Sequence, residues 1–226
     1  GRFTESTGAD IAYVRLDNVK VIGTNTNPNS EQERGLYVDK TSSLRHLVVE
    51  DSAFDNLTYG WYFQKEVSND VSTVQYVTVT NTTFSHNNLK GLYAEKLSDA
   101  SFTNCTVAGN GFSSDGVPSY FLPWMAGIDI NLKAGTYENL TFNNCTVTDN
   151  ALGGADNGVG FTAKARDDGS SYGPYPATLD GVTVNGGTYS GNKAGIRFGE
   201  PGQANAGPTG AHVRDATLAD NLDYAL

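Results

Sequence analysis

Gly91-Leu92-Tyr93-Ala94-Glu95-Lys96 is one copy of a phrase that the chain restates along its length. The other copies are Gly35-Leu-Tyr-Val-Asp-Lys40, Gly60-Trp-Tyr-Phe-Gln-Lys65, Gly127-Ile-Asp-Ile-Asn131, Gly158-Val-Gly-Phe-Thr162 and Gly195-Ile-Arg-Phe-Gly199. Their glycines stand 25 residues apart at the closest (Gly35 to Gly60) and 37 at the widest (Gly158 to Gly195), a spacing typical of repeat architectures. Within each copy apolar and polar residues alternate, as they do in a strand with one face buried. One strand is therefore being repeated, with a constant glycine at its start.

Upstream of each glycine strand lies a second phrase of the form strand, bend, strand. Val79-Thr-Asn81-Thr-Thr-Phe84, Phe102-Thr-Asn104-Cys-Thr-Val107 and Phe142-Asn-Asn144-Cys-Thr-Val147 are the clearest, and Asn18, Asp51, Gly186 and Asp215 hold the bend elsewhere. Asn, Asp and Gly are the residues that enter a left-handed backbone conformation most easily. Three residues beyond the following apolar position comes a column of Asn87, Asn110, Asn150, Asn192 and Asn221, spaced so that their amides can bond from one coil to the next. Cys105 and Cys145 fall at equivalent places beside the bend. They are expected as stacked small buried residues, in line with Ser52 and Thr82, with a disulfide as the alternative. The Asn-x-Thr sequons at Asn81, Asn104 and Asn144 coincide with bend positions and are read as products of Asn/Thr-rich turns rather than as glycan sites.

This pattern resembles the parallel β-helix repeat over essentially the whole chain. The resemblance implies an all-β, right-handed, single-stranded solenoid of about seven coils, with three short strands in each. Residues 1–226 are expected to form a single β-helix domain, and Ala225-Leu226 stands where another glycine strand would begin, which predicts a segment of a longer extracellular protein. The composition agrees, with 26 glycines and 12 tyrosines in 226 residues. A formal charge of −10 argues against nucleic acid as the main partner. The sequence contains no apolar run of transmembrane length, so membrane insertion is not expected, and a secreted or cell-surface location is.

Function is read from the polar positions of the glycine strands. With the first and third residues after each glycine buried, the second and fourth face outward. The second-position column reads Tyr37, Tyr62, Tyr93, Asp129, Gly160, Arg197 and the fourth-position column Asp39, Gln64, Glu95, Asn131, Thr162, Gly199. Beyond them runs a lysine row of Lys40, Lys65, Lys96, Lys133 and Lys164. Two long aromatic segments flank this face: residues 112–125, with Tyr120, Phe121 and Trp124, and residues 165–178, with Arg166 and Tyr172. Tyrosine faces cover the apolar faces of sugars, while amides, carboxylates and cations bond hydroxyls or acidic groups. The expected ligand is a linear polysaccharide, with uronates as candidate units, held by Tyr37, Tyr62, Gln64, Lys65, Tyr120, Trp124, Arg166 and Arg197. Stacked ladders of this kind also stabilise an exposed sheet without any ligand.

The layout is similar to that of pectate and alginate lyases, pectin hydrolases and alginate epimerases. That resemblance implies catalytic groups on the same sheet. For elimination or epimerisation of a uronate, Lys96 or Lys133 would serve as base and Tyr93 as acid, with Glu95, Asp129 and Asn131 offering oxygen ligands to Ca²⁺. For hydrolysis, Glu95 and Asp129 would be the carboxylate pair. The segment from Tyr59 to Lys65 lines up with the epimerase Asp-Pro-His-Glu motif, but Tyr62 and Gln64 replace its acid and its histidine, so that activity is not carried over. The alternative to a carbohydrate-active protein is a non-catalytic rod or interaction segment of a surface adhesin or matrix protein, with further coils or other domains as its neighbours.

Overall fold

The structure is a computed structural model and describes residues 10–24 and 33–226 together with the backbone of the strand Arg2–Phe3. Among the described residues the chain forms three parallel sheets of seven strands each, every strand between the two ends of a sheet pairing with its counterparts one coil before and one coil after. One coil shows the pattern. Ser98–Thr103 belongs to the sheet of long strands, Thr106–Ala108 to the sheet of short strands and Ala126–Leu132 to the sheet of glycine strands. This is the three-stranded β-helix that the repeat predicts.

The corner between long and short strands is made where the sequence places its bend residues. Asn18, Asp51, Asn81, Asn104, Asn144 and Asp215 have φ between 48° and 54°, and Gly186 takes the same corner at 67°. Short polar side chains tolerate this left-handed geometry because they bond locally. Inside the coils, Leu, Val, Ile and Phe stack on their equivalents: Phe54 on Phe84 at 5.5 Å and Phe102 on Phe142 at 4.9 Å between ring centroids. Each such fully buried ring contributes on the order of 1.5–3 kcal/mol. Cys105 and Cys145 are buried free thiols within this core.

The glycine of the repeated phrase has a steric cause. A Cβ on Gly91 would lie 2.8 Å from the Gly127 carbonyl oxygen, and one on Gly127 would lie 2.6 Å from that of Gly160. Coils this close leave no room for a side chain. The same contact corrects the fifth phrase by two residues. Ile128 pairs with Phe161 and Asp129 with Thr162, so Gly160 rather than Gly158 stands in the glycine column, and Thr162, not Gly160, follows Asp129 on the outward face. The sequence Gly158-Val-Gly-Phe satisfies a two-residue alternation in either register, and only packing between coils separates the two.

Next to the glycines runs the asparagine column. Asn87 Nδ2 donates to Asn110 Oδ1 at 2.7 Å, Asn110 to Asn150 at 2.9 Å, Asn150 to Asn192 at 2.9 Å and Asn192 to Asn221 at 3.1 Å. The backbone N–H of each coil also donates into the next amide, for example Asn110 N to Asn150 Oδ1 at 3.0 Å. Asn87, Asn110, Asn150 and Asn192 are fully buried, and the ladder satisfies a corner that water does not reach.

Candidate binding cleft

On the outside of the glycine-strand sheet the register gives the column Tyr37, Tyr62, Tyr93, Asp129, Thr162, Arg197. These side chains point away from the core, yet none is open to bulk water: Tyr93, the most exposed of the three tyrosines, is 9% exposed. They cover one another, with the Tyr62 and Tyr93 rings at 4.9 Å and Tyr59 at 5.9 Å from Tyr93. Val117, Phe121 and Leu122 of the loop entering the Asp129 strand pack on them.

Where the column changes from tyrosine to aspartate, a cleft of about 330 Å³ opens. The strands supply Tyr62, Lys90, Tyr93, Asp129, Asn131 and Lys164; one loop adds Phe121 and Trp124, and the other adds Arg166 and Tyr172. Lys133, Glu200, Tyr59 and Leu89 complete it. The loops keep their aromatic groups in place with short helices, a 3₁₀ turn at Leu122–Trp124 and one α turn at Gly169–Tyr172.

Asp129 lies between two ammonium groups, Lys90 Nζ at 2.6 Å from Oδ2 and Lys164 Nζ at 2.8 Å from Oδ1. Burial alone would push the Asp129 carboxyl up, but Lys164 and Lys90 together hold it well below the usual carboxylate range. Burial pulls the Lys90 ammonium down and Lys164 adds to this, while Asp129 opposes both. Lys90 Nζ also sits 3.7 Å from the centroid of the Tyr93 ring, a cation–π contact.

Burial, with the nearby Glu95 carboxylate, pushes the Tyr93 hydroxyl well above its ordinary pKa, so it stays protonated. It donates to Glu95 Oε1 at 2.8 Å and accepts from Asn131 Nδ2 at 3.1 Å. Because the tyrosine proton goes to Glu95, Asn131 must present its NH₂ to Tyr93, and this fixes the amide orientation. Its carbonyl oxygen Oδ1 is left buried with no protein partner. Lys133 Nζ pairs with Glu95 Oε1, and Glu95 Oε2 accepts the Lys65 backbone N–H at 2.9 Å. Arg166 forms a two-pronged pair with Asp168 (2.8 and 3.1 Å), lies 3.6 Å from Glu200 and stacks 4.1 Å above Tyr172.

The cleft thus gathers Tyr62, Tyr93, Phe121, Trp124, Asp129, Asn131, Lys133, Lys164, Arg166 and Tyr172 from the residues that the sequence singles out. The rest lie elsewhere. Lys96 is fully buried, and its Nζ is enclosed by the carbonyl oxygens of Asp39 (2.8 Å), Lys40 (3.0 Å) and Ser42 (2.6 Å) and by Ser72 Oγ (3.0 Å). It faces backbone and does not line the cleft. Lys65 turns the same way, onto Asp70 and the Ser72 carbonyl. Glu95 lies behind Tyr93 and orders it. Tyr37 bonds Asp39 and Gln64 further along the sheet, Tyr120 protrudes from its loop, and Arg197 is tied to the Asn157 carbonyl and Tyr224 in a separate depression.

Glu95, Asp129 and Asn131 do not fit a calcium ion. Both Asp129 oxygens face ammonium groups and one Glu95 oxygen takes Lys133 and Tyr93, so a cation entering here would have to displace lysines. Among the described residues no group of three or more His, Cys, Asp or Glu side chains could hold a metal.

Lys90 and Glu200 are the charged cleft residues that the sequence reading misses. Lys90 precedes Gly91, and counting alternation back from Tyr93 through the glycine gives the wrong face. Gly91 stands at the corner, 3.0 Å by its notional Cβ from the Asn110 amide, and the strand's alternation does not continue through it. Glu200 follows the last glycine strand in a turn with no repeat counterpart.

No described helix is long and apolar enough to cross a membrane. No curated protein and no solved structure matches the chain. A family model described as a right-handed β-helix region matches residues 14–199, and this chain of three parallel sheets, built up coil on coil, belongs to the right-handed β-helix family.

Proposed function

We propose that this protein binds a linear polysaccharide in the cleft on its glycine-strand sheet, and does so as a secreted or cell-surface protein. The observation that carries the reading is the composition of the cleft: hydrogen-bonding groups from the strands below, and the aromatic faces of Phe121, Trp124 and Tyr172 brought over them by two loops. Sugars need that combination, an apolar ring face beside a ring of hydroxyls. Lys96, one of the two lysines offered as a base, is enclosed by backbone carbonyls, and Lys133, the other, is paired with Glu95. The groups that would do chemistry are engaged by the protein itself, so binding, not turnover, is the function proposed.

A glycan array probed with the whole chain, followed by calorimetry on the hits, tests this. Trp124→Ala and Tyr172→Ala should each weaken binding about tenfold, as expected for loss of one stacking face worth about 1–1.5 kcal/mol. Binding to no glycan would overturn the proposal and leave the rod or adhesin segment as the function.

A further inference from the structure

We infer that the sugar unit held in the cleft is uncharged and hydroxyl-bearing, not a uronate or a sulfated sugar; this rests on the polysaccharide reading of the same cleft. The first observation is charge closure. Lys90 and Lys164 share Asp129, Lys133 is paired with Glu95, and Arg166 is held by Asp168 with Glu200 beside it. The four cations of the cleft therefore meet four carboxylates. An anionic sugar would add a fifth negative charge to this set with no further cation to balance it. Two of those carboxylates, Asp129 and Glu200, line the cleft and would repel a second anion, and the chain as a whole carries −10.

The second observation is independent of charge. Asn131 is 7% exposed, lines the cleft, and has its Oδ1 without a partner while its Nδ2 is committed to Tyr93. A buried acceptor of this kind calls for a donor from the ligand. A hydroxyl can give that proton, so the acceptor asks for a hydroxyl-bearing unit, while the charge balance asks for a neutral one. The lysine ammonium groups each carry three N–H donors, more than their carboxylates use, and can bond the oxygen of the same or a neighbouring hydroxyl. Neutral hydroxyl groups answer both needs and leave every ion pair in place.

The test compares glycans that differ only at C6. Oligosaccharides of glucan, mannan and galactan are titrated against the whole chain beside their C6-oxidised counterparts, in which the primary alcohol has become a carboxylate. The expected result is a neutral ligand that binds at least about tenfold tighter than its oxidised partner, with an affinity that changes less than about twofold when salt is raised, since no net charge is neutralised. Asn131→Leu should weaken the neutral ligand about tenfold. An oxidised ligand that binds as well or better, with an affinity falling in salt, would overturn the inference and leave the polysaccharide reading standing. Binding of neither member of any pair would overturn both.

Discussion

Buried asparagine is used in two opposite ways in this molecule. Along the corner beside the glycines, the ladder amides use both ends; Asn150 gives hydrogens to Val107 O, Thr148 O and Asn192 Oδ1 and receives them from the backbone and side chain of Asn110. In the cleft, Asn131 donates once, to Tyr93, and its carbonyl oxygen meets nothing. The same side chain at similar burial is closed in one place and open in the other. A saturated amide serves the fold; a buried half-saturated one is stable only because the surrounding sheet over-determines its position, and the unmet half is available to something from outside.

The ladder is where a single substitution costs most. Asn150→Leu fills the volume but leaves the Asn110 backbone N–H, two carbonyls and both neighbouring amides short of a partner. The expected loss is about 4 kcal/mol of unfolding free energy, at the upper end for a single substitution. Urea titration measures it. A loss under about 1 kcal/mol would mean that the ladder is incidental to the solenoid.

Asp129→Asn tests the polar floor that Asn131 shares. Removing the charge leaves Lys90 and Lys164 buried with no carboxylate between them, and about 3 kcal/mol of stability should go at neutral pH. The effect has a defined pH dependence. The two lysines depress the Asp129 pKa in the folded state below its ordinary value of 3.8, so the folded protein binds this proton less readily than the unfolded chain. Its contribution is complete above about pH 4 and is lost as the pH falls below that. Thermal midpoints of wild type and variant should therefore differ most near neutrality and converge in acid. A gap that stays constant down to about pH 2 would show that Asp129 acts by shape, not by charge.

The fold was legible because three independent sequence signals coincide in the four coils that carry Gly91, Gly127, Gly160 and Gly195: a glycine where two backbones meet, a left-handed residue at the corner, and an amide column between them. Each signal has one steric or hydrogen-bonding cause, and the structure places all three together. The cleft was only partly legible. Strand residues such as Tyr93, Asp129 and Asn131 could be read off the repeat, and Trp124 and Arg166 off the long loops. The destinations of the lysines could not. Lys96 and Lys133 occupy similar places after their strands, yet one curls onto the carbonyls of a single earlier turn and the Ser72 hydroxyl and the other reaches Glu95. That choice depends on which acceptors the neighbouring turns leave unpaired, which is a property of packing across coils. Lys90 was lost for a related reason, since alternation fails at a corner.

At Asn131 the fold itself should lose almost nothing. Asn131→Leu removes one hydrogen bond to Tyr93 and, with it, the orphaned acceptor. The lost bond costs about 1 kcal/mol, but in the free protein Asn131 Oδ1 already carries a desolvation penalty with nothing in return, and relieving it offsets the loss. The Tyr93 hydroxyl keeps its bond to Glu95 and is not stranded. The net change should lie within about 0.5 kcal/mol, roughly an order of magnitude less than at Asn150 despite equal chemistry and similar burial. Denaturation of the two variants side by side, without ligand, separates the cases: near-equal losses would show that Asn131 is another closed structural amide, whereas a near-silent Asn131→Leu would mark its oxygen as a group that the fold itself does not use.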